Sequence, residues 1–424
     1  MHLYELPLWF ALVGLALYTV LGGADFGAGF WQLVAGKGKR ADEIRDHAHH
    51  AMAPVWEANH VWLIFVLTVV WTAYPAAFGS IASTLSGPLF IAAIGIVMRG
   101  GAYALRAGTR TAGEQRRVDT IFALSSVLTP FALGTVIGAI ASERIHVGNP
   151  GGSLVTSWLN PTSIAIGVLA VASGAYTSAV FLSGDAARHG QHALADRFRA
   201  RALAAGLAAG AVAIAALVVL HFDAERIFRR LTQGVGLPSL VVSVIAGMAT
   251  LGLVWRRRYE PARYTAGVAV AATIAGWAVA QSPVFLHGLT IREAAAGHDT
   301  LVAVVVSVLV GALLLFPSLA LLFRLTLGGE LRDGGQSSGT APVGSRRRAL
   351  VRGQLDARLS VAFLAAGIGF LTVANAAWAH AIGVACFFGF ILSGYRAALP
   401  PDVVETAALR ADPDGSTPRS PVGS

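Results

Sequence analysis

The segment Leu15-Ala16-Leu17-Tyr18-Thr19-Val20-Leu21-Gly22-Gly23-Ala24-Asp25-Phe26-Gly27-Ala28-Gly29 lies inside an apolar run that covers 6–34. That run is too long for an ordinary soluble core helix, whereas about 20 apolar residues suffice to cross the hydrocarbon of a bilayer. A carboxylate inside such a run is costly, so Asp25 marks a function and needs a partner. A second run opens with Pro54-Val55-Trp56-Glu57-Ala58-Asn59-His60-Val61-Trp62, and the charged stretch 37–50 between the two reads as a short loop. Asp25 and Glu57 therefore fall at the same end of two consecutive spans.

Working outward, the same reading repeats along the chain. Of 424 residues, 55% are hydrophobic and 13% charged, and nine spans follow one another at 6–34, 53–74, 81–105, 119–142, 159–183, 201–221, 238–256, 264–282 and 301–324. The class is an all-α polytopic membrane protein. The +9 net charge does not gather in one patch, which argues against nucleic acid. Instead the connections after the first, third, fifth and seventh spans hold four basic residues each, against five in the other four connections together. Positive charge stays on the cytoplasmic side, so the N-terminus is expected outside and the ninth span is expected to end inside. No basic region precedes the first run, so that run is expected to persist as a span rather than act as a signal peptide. The lone Cys386 excludes an internal disulfide and a multi-cysteine metal site.

Glycines at Gly23-x-x-x-Gly27 and Gly206-x-x-x-Gly210 suit close helix packing, and Asp223 to Leu231 reads as a short interfacial helix. The organisation expected is a nine-span body over 1–327, a flexible basic linker over 328–358, an apolar helical hairpin over 359–396 and a disordered tail over 397–424.

Several motifs resemble subunit II of the cytochrome bd-type quinol oxidases. They are Gly23-Ala-Asp-Phe-Gly-Ala-Gly29, Ala53-Pro-Val-Trp-Glu-Ala-Asn-His-Val-Trp-Leu-Ile64, Arg99-Gly-Gly-Ala-Tyr-Ala-Leu-Arg106 and Leu159-Asn-Pro161, with Gln281-Ser-Pro283 and 289–296 adding to them. The resemblance covers about 1–327. It implies two four-helix bundles plus a peripheral helix and a bacterial plasma (inner) membrane location. It also implies a heterodimer with subunit I, which holds the haems b and d, oxidises quinol and reduces oxygen to water. On that reading this chain binds no haem itself and contributes structure and a cytoplasmic proton route. A quinone held as a structural lipid and a small single-span accessory subunit are compatible with it.

Residue by residue, Glu57 matches the family position of an acid associated with proton uptake; a carboxylate capping the second helix is the alternative. Asp25 lies nine residues from the end of its run, roughly 13 Å inward. Arg99 sits at a comparable depth in the third span, so an Asp25–Arg99 ion pair is expected, with proton transfer by Asp25 as the alternative. His60 follows Glu57 by three residues on one helix face and titrates near neutrality; it is either a relay group or a packing residue. Gly23, Gly27, Trp56, Asn59 and Trp62 are expected to hold the motifs in place. The chain departs from the family at Ala58, at His60, and at Ala104, where an acid is usual, so His60 is a candidate substitute. His47, His49, His50, His221, His287 and His380 form no convincing haem or metal frame. A secondary transporter or a diverged scaffold are the competing readings, separable by whether haem d absorption tracks the chain.

Overall fold

The computed structural model describes residues 2–36, 38–52, 56–106, 111–148, 153–327 and 358–367, with short pieces between 382 and 393; the side chains of 49, 50, 52, 56–58, 112, 316 and 319–327 are not described. The chain divides into two compact units, Met1–Phe316 and Pro317–Ser424.

The first span is one continuous helix, Leu3–Leu33, of 31 residues. At 1.5 Å per residue it is about 46 Å long against a hydrocarbon core of about 30 Å, so part of it projects beyond the lipid tails. It comprises α1 (Leu6–Leu17), a π-helical turn (Tyr18–Gly22) and α2 (Gly23–Leu33). The stretch after it is not a loop, as the charge content suggested. It forms α3 (Lys39–Met52), folded back against α2. Ala41, Ile44 and Ala48, three and four residues apart, are its buried stripe, while Arg45 Nη1 pairs with Asp42 Oδ1 at 2.9 Å on the wet side.

Next come α4 (Trp56–Ala73) and α5 (Pro75–Thr84), which meet at an angle of 119°. Pro75 has no N–H to continue the ladder, and Tyr74 is pinned in the corner: its hydroxyl donates to Tyr4 O at 2.6 Å and accepts from Leu8 N at 3.0 Å. The third span therefore starts at Ser86 rather than at 81. It is α6 (Ser86–Arg106), followed by α7 (Ala112–Ala141), α8 (Pro161–Arg188), α9 (His192–Asp223), the interfacial α10 (Glu225–Thr232), α11 (Leu237–Trp255) and α12 (Tyr259–Gln281). A small hairpin of β1 (Val284–Leu286) and β2 (Leu289–Thr290) and a short α13 (Ile291–Ala294) lead into α14 (His298–Leu327). Among the described residues eight helices are long and apolar enough to cross a membrane, and the bent pair makes nine.

Helices α8, α9, α11 and α12 close into a ring of four. On the other side α4 lies on α1, α2 on α7 and α7 on α6, and α2 joins the two sets by packing on α8 as well. At one end Asp223 Oδ2 accepts from Thr162 N at 3.1 Å and from Thr162 Oγ1 at 2.6 Å, while its Oδ1 pairs with Arg144 Nη2 at 2.7 Å, so α9 caps the start of α8.

The α2–α8 contact needs glycine. A Cβ on Gly27 would overlap the Gly174 carbonyl, whereas one on Gly210 would meet nothing within 4 Å. Gly206 is close-packed against Leu251 and Tyr176, so only half of the Gly206/Gly210 pair serves packing. Because the obstacle at Gly27 is backbone, Gly27→Ala should cost about 1–3 kcal/mol, read as a lower melting temperature of the membrane-extracted protein. Gly210→Ala is the control and should leave it unchanged.

Of the second unit, Arg358–Gly367 is a short apolar helix. The expected linker, the remainder of the hairpin and the tail lie almost wholly outside the described residues.

Candidate functional site

The side chains that the spans bring together centre on Asp25 and Arg99, each 1% exposed. Arg99 Nη2 lies 2.5 Å from Asp25 Oδ1 and also donates to the Asp25 carbonyl at 3.1 Å. Nη1 donates to Ser126 Oγ on α7, which in turn donates to Phe122 O at 2.5 Å. The guanidinium is sandwiched between rings, 4.8 Å from the Phe26 centroid and 4.2 Å from that of Phe122. Gly29 makes the room: a Cβ there would run into Ser126 and stand 3.4 Å from Arg99 Nη1. The Gly-Ala-Asp-Phe-Gly-Ala-Gly motif thus supplies a carboxylate, an aromatic lid and the glycines that let α7 and α8 approach.

The π-helical turn shapes the other side. It interrupts the regular carbonyl ladder, and Asn59 Nδ2 on α4 donates to Leu21 O within it at 3.2 Å. One residue on, His60 meets the rings of Tyr18 and Phe26 edge-on, at centroid distances of 6.4 Å and 6.2 Å. Tyr18 Oη, Asp25 Oδ2, Asn59 Oδ1 and Arg99 Nε are buried with no hydrogen-bond partner among the described residues. Buried polar atoms of this kind normally meet ordered water. Trp62 packs edge-on with Phe65, 6.4 Å between centroids. The side chains of Trp56 and Glu57 lie outside the described residues; the backbone places Glu57 as the second residue of α4, three before His60.

Sequence reasoning missed several members. Ser126 and Phe122 are found only once α7 is rotated into place. Asp119, at the head of the fourth span, pairs with Arg106 Nε at 3.1 Å, and Arg106 Nη2 reaches Asp46 Oδ1 at 3.4 Å. An acid beside an apolar run was the available signal. As to metals, no group of three or more His, Cys, Asp or Glu converges among the described residues. His47 Nε2 lies 3.2 Å from Leu182 O, and His146 stacks edge-on with His287 at 5.0 Å.

Fold and site together define a polytopic helical membrane protein with a fully buried ion pair at the meeting of its helix sets. The model of the cytochrome bd terminal oxidase subunit II family matches residues 5–326, and the chain belongs to that family. It is similar to a Bacillus subtilis protein provisionally assigned as a cytochrome bd menaquinol oxidase subunit II: 22% identical over 239 residues, 55% of this chain and 67% of that one. It is also similar to the Bacillus subtilis cytochrome bd ubiquinol oxidase subunit 2, 25% identical over 170 residues, 38% of this chain and 48% of that protein. The match therefore spans about two thirds of one relative and about half of the other. Among solved structures the bd oxidase of Geobacillus thermodenitrificans superposes with a TM-score of 0.59 at 25% identity, covering 77% of this chain and 99% of that one.

Proposed function

We propose that this chain is the non-haem subunit of a bacterial quinol:oxygen oxidoreductase, and that it supplies protons to oxygen reduction in a haem-bearing partner. The observation that carries this reading is the polar cluster of buried Asp25, Arg99, Tyr18 and Asn59 with half-buried His60 beside it, lying within the 5–326 segment that matches the oxidase family. Reduction of oxygen consumes protons that cannot cross hydrocarbon unaided, so titratable and hydroxyl groups must lead inward from water. Glu57 takes the proton at the head of α4, His60 stands one turn further on, and Asp25 is held in place by Arg99. The end carrying the basic residues faces the cytoplasm and the N-terminus lies outside. Haems b and d and the quinol-oxidising site belong to the partner, with lipid and a structural quinone filling the outer faces.

Affinity purification of the tagged chain tests this. A haem d band should copurify in constant ratio, and the chain expressed alone should fail to accumulate. A stable, monodisperse, haem-free monomer from cells that also make the partner would overturn the assignment. The extension lies outside the family-matched segment, so truncation after Gly328 should leave haem content and oxygen turnover essentially unchanged. Loss of haem in the truncation would make the extension part of the oxidase body.

A further inference from the structure

We propose that protons have a second aqueous inlet to the first span, through a cavity on the α8 side rather than along α4; this rests on the proton-supply reading above. The cavity, of about 170 Å³, is lined by Leu21, Ala24, Ala51, Phe181, Asp185, Arg188 and Arg263. A water occupies roughly 30 Å³ in the liquid and needs two to four polar partners, so the space and the three charged side chains suit a short chain of waters. Its lining joins two different surroundings. On one side are charged groups at the end of α8. On the other are Leu21, in the π-helical turn, and Ala24, the residue before Asp25.

The charged side has the make-up of a proton collector. Asp185 Oδ2 lies 3.8 Å from His47 Nε2 and 3.6 Å from His189 Nδ1, and its Oδ1 is 3.1 Å from Arg188 Nη2. Glu260 stands 3.5 Å from both Arg188 Nη1 and Arg263 Nη1. Arg263 Nη2 donates to Phe181 O at 2.9 Å, which fixes that side chain across the cavity wall. Two imidazoles beside a largely shielded carboxylate give this end of α8 a cluster of proton-exchanging side chains at the mouth of the cavity. Arg188 pairs with the carboxylate at the cavity mouth, and waters in the cavity carry the proton past Phe181. The elements that contribute, the π-helical turn, α2, α3, α8 and α12, do not include α4. Loss of the α4 route therefore leaves this one intact.

The test uses the assembled complex in two arms. In a Cys386→Ser background, Ala24→Cys and Ala51→Cys are treated with a membrane-impermeant cationic thiol reagent. Both should be modified, whereas Ala28→Cys, buried like Ala24 but outside the cavity lining, should not. No modification at either lining position means that water does not reach the cavity, and the inlet is rejected. In the second arm, Asp185→Asn should assemble with normal haem spectra yet show a severalfold loss of oxygen turnover with an enlarged solvent isotope effect, and Asp185→Glu should restore both. Normal turnover in Asp185→Asn would show a wet cavity that carries no proton flux and would also reject the proposal. The labelling arm is read without turnover. Failure of the inlet is thus distinguishable from failure of the proton-supply reading, which Glu57→Gln tests.

Discussion

Arg99→Leu should be the most damaging single change in the chain. It leaves the Asp25 carboxylate buried, 1% exposed and now without its cation. Removing one partner of a buried pair costs about 3–5 kcal/mol, because the remaining charge must stay desolvated or take up a proton. That is a large share of the 5–15 kcal/mol by which proteins are typically stable, so little assembled protein should be recovered. Asp25→Leu should be comparably severe, since Arg99 keeps only Ser126 Oγ and a backbone carbonyl. The discriminating variant carries both reversals, Asp25→Arg with Arg99→Asp, and should recover part of the yield lost in either single reversal. Its yield and melting temperature in detergent provide the check. A double reversal no better than the worse single would mean that the two side chains do not act as a pair. The cation–π contacts to Phe26 and Phe122 are not reproduced by an arginine on α2, so recovery should be incomplete.

The second large effect is on rate. Glu57→Gln keeps the shape and hydrogen-bonding reach of the side chain and removes only its titrating proton. If Glu57 takes up protons, the variant should assemble with normal haem spectra while turnover per haem falls by about one to two orders of magnitude, the residue being carried by the inlet beside Asp185. If instead Glu57 only caps α4, losing its charge at a helix N-terminus lowers stability by about 0.3–1 kcal/mol and leaves turnover per assembled complex unchanged. The ratio of oxygen consumed to haem d separates the two. His60→Ala should slow turnover further only if the imidazole transfers protons. As a packing residue between Tyr18 and Phe26 it should cost stability instead.

Sequence alone determined the membrane class, the number of spans and the need for a cation near Asp25. These follow from one-dimensional quantities: the thickness of hydrocarbon sets how many apolar residues a span requires, and the cost of a bare charge inside it demands a partner. The fold-back of α3 was hidden because its charged residues outweigh the stripe of Ala41, Ile44 and Ala48, which has meaning only when α2 and α8 are there to cover it. Pro75 announced a break, but the 119° turn depends on Tyr74 reaching Tyr4 and Leu8 across the fold. Likewise, no periodicity tells which way α7 is rotated, and so Ser126 and Phe122 emerge as partners of Arg99 only in three dimensions. The Asp185 cluster is the extreme case. Its members come from α3, α8 and α12, from His47 to Arg263, and meet because α3 and α12 both pack against α8. Hydrophobicity decides that a segment enters the membrane; close packing between helices decides which of its few polar atoms face one another.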